Sequence, residues 1–332
     1  VRALSKCDVL VDVAGVSFID GREKFLPFNV LTIWPAMLLG IPVVKIAQAL
    51  GPVGGRLNGF SARRFLTRCT RVFARGEGTE QHIEALPVPE DRRDRASDAA
   101  FLYEPAYALS DENPEYARDL MGRLDDQRAA GVRVVGLCPS SVIASKACKA
   151  GWDYPGMLAE IASAMVEKGH AVLLFPNATR ESQGDALRNN DLPVIRDVAG
   201  RIGEGSGRPE RLVAVEHDLN AASIKRLVER CDVAMVSRVH AMIAALAATV
   251  PVVVLGWSHK YLEVMEDFGL GGRVLDHSDA DAETLTGALE ELGESRQEVS
   301  ERIARRLPAV REASERQFEY LVKLLHSSGA SR

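Results

Sequence analysis

The chain is poor in cysteine, has no long apolar run and carries no surplus of basic charge. Its five cysteines (Cys7, Cys69, Cys138, Cys148 and Cys231) are odd in number and scattered. No CxxC pair occurs and no Cys/His spacing suits zinc, so neither a disulfide framework nor a zinc site organises the fold. Cys7 and Cys231 each precede an Asp and a candidate strand, which reads as small buried thiols in a reducing compartment. No stretch of about 18 apolar residues exists to span a membrane, so no integral segment is expected and any membrane contact would be peripheral. No basic segment leads into an apolar one, as a signal peptide would require, so a cytoplasmic location is expected. With 41 Lys and Arg against 46 Asp and Glu, the net charge is -5, which argues against a nucleic-acid binder. The acidic runs Asp125-Asp126 and Asp279–Glu283 sit in polar linkers and read as solvated; no metal is expected.

What is present is a two-domain length, 332 residues, with ordinary globular composition. Short Val/Leu/Ile-rich runs alternate with helical patterns. Candidate strands are 9–13, 43–46, 71–74, 132–137, 171–175, 212–215, 233–236, 252–255 and 273–275. Most lack strict alternation, as strands covered on both faces of a parallel sheet do. Helices are expected over 31–39, 62–68, 77–86, 154–168, 221–230, 239–248 and 262–268. This order predicts an α/β fold of two doubly wound Rossmann-like domains whose strand C-termini face a cleft. A polar helical segment, 113–131, places the boundary near residue 128, giving domains 1–128 and 129–332. The second ends in a helical tail from about residue 282, read as a solvated amphipathic helix, with packing back across the first domain as the alternative. Because Val1 leads almost at once into a buried strand, the first elements of the N-terminal domain are expected to precede this sequence.

The stretch Asp232-Val-Ala-Met-Val-Ser-Arg-Val-His240, followed by a small-residue helix and Val250-Pro-Val-Val-Val-Leu255, carries the most functional information. It reads as strand, tight turn, helix and second buried strand. Arg238 and His240 would stand at a strand's C-terminal end beside a helix N-terminus, a place suited to an anion. In an extended turn their side chains share a face, whereas in a continuous helix they diverge by about 200°. The helix must therefore begin at or after Val239. The plainer alternatives are a surface salt bridge for Arg238 and a packed interior position for His240.

The run Ser237-Arg-Val-His-Ala-Met-Ile-Ala-Ala-Leu246, then Val250-Pro251 and Trp257-Ser-His-Lys260, resembles the polysaccharide pyruvyl transferase family. Upstream elements agree in order. Asp8-Val-Leu-Val-Asp-Val-Ala-Gly-Val-Ser-Phe-Ile-Asp20 is similar to its acidic, glycine-bearing first loop, placing Gly15 and Asp20 in the site. Gln48-Ala-Leu-Gly-Pro52 resembles its Gln-x-x-Gly-Pro turn. Phe73-Ala-Arg-Gly-Glu-Gly-Thr79 resembles its Arg-Asp/Glu segment, with Gly76 inserted after Arg75, and Asp98-Ala-Ala-Phe101 closes the first half. At Leu173-Leu-Phe-Pro-Asn177 the chain has Asn177 where the family pattern leads one to expect His.

The resemblance implies transfer of the pyruvyl group of phosphoenolpyruvate to a sugar or glycan-lipid acceptor as a ketal. Phosphate is released, in polysaccharide or cell-envelope glycan biosynthesis, and no cofactor is needed beyond the donor substrate. The donor's phosphate and carboxylate would be met by Arg75, Arg238 and Lys260. His240, with an ordinary pKa of about 6.5, is the candidate acid or base. Asp12, Asp20 or Glu216 is the candidate carboxylate. Ser140 and Ser141 either cap the next helix or contact phosphate; Lys260 and Gly15 have plain readings as a solvated lysine and a turn residue. Two other functions fit the same pattern of elements. One is a GT-B-type glycosyltransferase using a nucleotide sugar; the other is a non-catalytic member of a glycan-assembly system.

Overall fold

A computed structural model of the chain describes residues 3–104, 113–180, 189–203, 208–256, 259–278 and 280–329. The chain divides into two compact units, Val1–Tyr103 with Pro308–Arg332, and Glu104–Leu307. Each is an α/β layer structure, and every strand pairing among the described residues is parallel.

The first unit runs β1 (Leu10–Asp12), β2 (Val16–Ser17), α1 (Leu26–Leu38), β3 (Val43–Leu50), α2 (Arg56–Leu66), β4 (Arg71–Ala74), α3 (Glu77–Glu84) and β5 (Arg93–Arg95). Its sheet has the order β1-β3-β4-β5, with β2 pairing the distal end of β3. All eight residues of β3 are buried, as a central strand covered on both faces requires. β2 and β5 are not among the expected strands. One is two residues long and the other reads Arg-Asp-Arg, so neither offers an apolar signal.

The second unit begins with α4 (Pro114–Ala129). It continues through β6 (Val134–Cys138), α5 (Ser141–Ala150), α6 (Tyr154–Glu167), β7 (Ala171–Leu174), α7 (Leu192–Gly203) and β8 (Leu212–Ala214). Then follow α8 (Ala221–Val228), β9 (Val233–Val236), α9 (Val239–Ala247), β10 (Val252–Gly256), α10 (His259–Asp267), β11 (Val274–Asp276), α11 (Ala282–Glu294) and α12 (Arg296–Gly329). The sheet order is β11-β10-β9-β6-β7-β8. From β6 the chain winds outward through β7 and β8, then returns to lay β9, β10 and β11 on the other side. The order therefore reverses between β6 and β9, where Cys138 pairs with Val236.

Two expectations about the ends of these units need correction. The polar segment 113–131 does not precede the second unit but belongs to it. The Tyr116 hydroxyl donates to the Ala214 carbonyl at 3.3 Å, Arg123 to Leu212 at 2.8 Å and Arg128 to Arg230 at 2.9 Å. The boundary thus falls ahead of residue 128. The tail is not merely solvated: beyond Pro308, α12 packs into the first unit. There Ser314 donates to the Asp98 carbonyl at 2.9 Å and Gln317 to Ser97 at 3.0 Å, while Gln317 accepts from the Ala47 amide at 2.8 Å. Tyr320, Leu321 and Leu324 pack against Val44, Ala47, Phe73 and Ala96. Pairing buried β-sheet backbone with a buried glutamine satisfies groups that the apolar layer alone would leave bare.

Candidate active site

In an open parallel sheet, ligands bind outside the strand C-termini where the strand order reverses. In the second unit that place lies beyond Cys138 and Val236, the ends of β6 and β9. Two helices start there. Ser140 caps α5, its Oγ accepting from the Ile143 amide at 3.4 Å. Arg238 occupies the N-cap position of α9 in extended conformation (φ -133°, ψ 135°), and the helix begins at Val239. The helix start is the one the sequence argument required, but the turn expected over 237–240 stops short of His240, which already lies in the helix. The first intrahelical bond runs from Met242 to the Arg238 carbonyl, so the amides at the start of α9 have no partner within the helix.

The centre of this region is Asp191, which sequence reasoning missed. Its carboxylate is fully buried. Oδ1 accepts from the Ser141 amide at 2.8 Å and from Arg238 Nη2. Oδ2 accepts from Arg238 Nε at 3.2 Å and from the amides of Asn177 and Ala178 at 3.3 and 3.0 Å. Arg238 Nη2 also donates to Ser141 Oγ at 2.8 Å. Arg238, Ser141 and Asn177, all expected site residues, are therefore brought together by one carboxylate. The fork of Arg238 is turned toward Asp191, so two of its three nitrogens are committed inside the protein. The reading of Arg238 as a surface ion pair is corrected by this, since its partner carboxylate is fully buried. Burial alone would lower its pKa, but pairing with Asp191 more than offsets this and holds it above the ordinary arginine value. A signal for Asp191 was present: Asn190-Asp-Leu-Pro193 places an Asp before a proline in a first helical turn, and the Asp191 carbonyl accepts the Ile195 amide.

A second set of bonds ties the two strand ends together. The Ser140 amide donates to Tyr154 Oη at 3.2 Å, and Tyr154 donates to Ser237 Oγ at 3.2 Å. The Tyr261 hydroxyl donates to the Ser237 carbonyl at 3.0 Å. Burial pushes the Tyr154 phenol well above its usual value, so it stays a neutral donor. Lys260 lies in the first turn of α10, shortly after β10, with its ammonium 5.5 Å from the Tyr261 ring centroid. Trp257 and Ser258 of the same motif lie outside the described residues. His240 is exposed in the first turn of α9, which rules out the packed interior position. Glu216 is exposed, at the end of β8.

The remaining expected residues lie in the first unit. Arg75 follows β4 and is 3% exposed. Its Nη1 donates to Asp98 Oδ2 at 2.9 Å, while Nε and Nη2 have no hydrogen-bond partner among the described residues. A buried guanidinium with two unused donors is an unusual residue to keep. Asp98 is itself fixed, since its Oδ1 accepts from the Ala100 amide at 3.0 Å. Asp20 is committed to the fold: Oδ2 accepts from the Gly55 amide at 3.0 Å and Oδ1 from Asn58 Nδ2 at 3.1 Å. It ties the amide of Gly55, which enters α2, and the Asn58 side chain of that helix's first turn to the loop after β2. Asp12 is paired with the buried Lys45, and Gly15 is an exposed residue of the β1–β2 loop. Of the three candidate carboxylates, two are thus occupied structurally. Among the cysteines, Cys69, Cys138 and Cys231 are buried, but Cys7 is exposed, contrary to expectation. Among the described residues no group of three His, Cys, Asp or Glu side chains is placed to hold a metal. A cavity of about 510 Å³ opens elsewhere in the second unit, lined by Val253, Leu270, Arg273, Leu275 and Thr284, and includes none of these residues.

The two units, each with a parallel sheet covered by helices, define a GT-B-like protein built from Rossmann-like domains. Solved structures agree. A putative UDP-N-acetylglucosamine 2-epimerase from Listeria monocytogenes aligns over 98% of this chain and 78% of its own, with TM-score 0.63 and 11% identity. S. aureus MnaA, solved with UDP, aligns over 97% and 78% with TM-score 0.60 and 12% identity. Anabaena HepE, also solved with UDP, aligns over 98% and 80% with TM-score 0.56 and 13% identity. At such identities the likeness concerns the fold.

The polysaccharide pyruvyl transferase family profile matches residues 2–259, and the chain belongs to that family. It is 21% identical over 267 residues to the amylovoran biosynthesis protein AmsJ of Erwinia amylovora, covering 80% of this chain. The chain spans 61% of the length of that relative.

Proposed function

We propose that the chain transfers the pyruvyl group of phosphoenolpyruvate to a sugar or glycan-lipid acceptor as a ketal, with release of phosphate, in cytosolic steps of polysaccharide or cell-envelope glycan biosynthesis. The observation that carries this reading is the placing of Arg238 and the start of α9 at the strand-order reversal of the six-stranded sheet. The helix-start amides and the remaining Nη1 edge of Arg238 supply donors for a compact anion. Asp191 holds Arg238 in register, and Ser141 fixes its other side. In the first unit, Arg75, whose Nε and Nη2 have no hydrogen-bond partner among the described residues, is a cation of the kind that binds phosphate or carboxylate. Lys260 adds a point charge, and Asn177, whose amide joins the Asp191 cluster, presents a neutral side chain at the end of β7.

The proposed chemistry is an addition followed by a displacement. His240 gives a proton to the methylene carbon of the donor, leaving cationic character at the carbon that bears the phosphate. One sugar hydroxyl adds there and its proton returns to His240. The phosphate departs as the second hydroxyl closes the ketal, and that hydroxyl's proton leaves with the phosphate. The fixed donors are already oriented when the charge on the phosphate increases, which is where preorganised hydrogen bonds contribute most.

Ligand-dependent melting tests the donor class. Phosphoenolpyruvate at about 100 times its Kd should stabilise the chain by about 2.7 kcal/mol. UDP-sugars should leave the melting temperature unchanged. Stabilisation by UDP-sugars and none by phosphoenolpyruvate would replace this reading with nucleotide-sugar glycosyl transfer; stabilisation by neither would favour a non-catalytic role.

A further inference from the structure

A water-facing helix normally carries its apolar residues as one stripe and polar residues opposite. α1 does not. Ile33 and Ala36 face the core, yet the opposite side presents Phe28, Leu31, Trp34 and Leu38, which are 66%, 59%, 44% and 71% exposed. Beside it on α2, Leu57 and Phe60 are 71% and 68% exposed. The two helices are in contact, with the Trp34 and Phe65 rings meeting edge to face at 6.2 Å. The six exposed side chains therefore belong to adjacent helices of one unit. A helix apolar all round is stable only with a second apolar neighbour or a lipid phase.

The surrounding charge selects the neighbour. Between Arg22 and Arg68 the exposed cations are Arg22, Lys24, Arg56, Arg63, Arg64 and Arg68, against one exposed anion, Glu23. None of these arginines on or after α2 forms an ion pair among the described residues. This concentration of positive charge stands in a chain whose net charge is -5. A second copy docked face to face would set cations against cations. An anionic lipid surface accepts both features: apolar side chains enter the acyl boundary, Trp sits at headgroup depth, and the arginines meet lipid phosphates.

We propose that the α1–α2 face of the first unit is a peripheral docking surface for an anionic phospholipid membrane. No helix among the described residues is long and apolar enough to cross a membrane; the contact is interfacial. It does not depend on the catalytic proposal, and its readout is binding rather than turnover.

Vesicle co-sedimentation of the whole chain tests it, using phosphatidylcholine alone and phosphatidylcholine mixed with phosphatidylglycerol. Binding is expected to the mixed vesicles, weakly if at all to the neutral ones, with release at high salt. A blue shift of Trp34 emission, absent in Trp34→Phe, should accompany binding. Arg63→Gln with Arg64→Gln should weaken binding roughly 30-fold. Leu31→Glu with Phe60→Glu should weaken it about 100-fold or more. All four side chains are exposed, so unchanged melting verifies folding in each variant. Absence of binding to the mixed vesicles overturns the proposal, as does binding that the Leu31/Phe60 pair leaves intact. A dimer in light scattering that the same pair dissociates, without any vesicle binding, would assign the face to a second copy instead.

Discussion

Replacing Asp191 by asparagine should damage the fold of the second unit before it affects any chemistry. The carboxylate is fully buried and accepts five hydrogen bonds, from three backbone amides and two nitrogens of Arg238. The amide keeps one acceptor oxygen but turns an NH2 toward donors that the second oxygen had satisfied. It also leaves the Arg238 guanidinium, 13% exposed, without its counter-charge. Breaking one side of a buried pair costs roughly 3–5 kcal/mol. At about 2–4 °C per kcal/mol for a domain of this size, the melting temperature should fall on the order of 10 °C. Circular dichroism melts and urea titration read this directly. The double variant Asp191→Leu with Arg238→Met should regain most of the loss, because the uncompensated charge is gone. An Asp191→Asn protein that melts within about 1 °C of the parent would refute the account of Asp191 as the organiser of this region. The same reasoning governs any test of Arg238: loss of donor binding in Arg238→Ala counts only after the stability loss is measured.

Four further outcomes follow from the geometry. Asp20→Ala should lower stability by about 1–3 kcal/mol, the usual cost of leaving part-buried donors unpaired, while leaving the donor KM unchanged; a raised KM at unchanged stability would return Asp20 to substrate binding. Gly51→Ala should be strongly destabilising, since Gly51 has φ +78° and an added Cβ would lie 2.7 Å from the His82 side chain; a neutral effect in a melt would contradict that close approach. A thiol reagent at pH 8 should label Cys7 and Cys148 quickly, and Cys69, Cys138 and Cys231 only on unfolding. Burial pushes the Cys69 thiol up to about 12 from 9.0, so ionisation favours the unfolded chain. Stability should therefore be full below about pH 9 and be lost as the pH rises toward 12, measurable by urea midpoints.

Much of the fold was legible because buried parallel strands leave a local mark. The apolar runs at Val134–Cys138, Ala171–Leu174, Val233–Val236 and Val252–Gly256 are all buried on both faces. The turn after Ser237 and the start of α9 at Val239 were legible for the same reason, as was the capping of α5 by Ser140. What escaped was long-range pairing. Asp191 and Arg238 are 47 residues apart, Arg75 and Asp98 are 23 apart, and Gln317 reaches Ala47 across 270. A sequence presents each charge but not its counter-charge, so Arg238 read as available when it is largely committed. The helix α7 was not among the expected helices, and β5 was missed because an Arg-Asp-Arg strand gives no apolar signal.

The most direct measurement is phosphate release from phosphoenolpyruvate in the presence of a panel of sugar and lipid-linked acceptors, comparing the parent chain with His240→Ala. His240 is exposed, so the variant should melt as the parent does. The account predicts acceptor-dependent phosphate release by the parent and its loss in the variant. Undiminished release by a folded His240→Ala protein would contradict the role given to His240. No release with any acceptor, together with stabilisation by a nucleotide sugar, would contradict pyruvyl transfer itself.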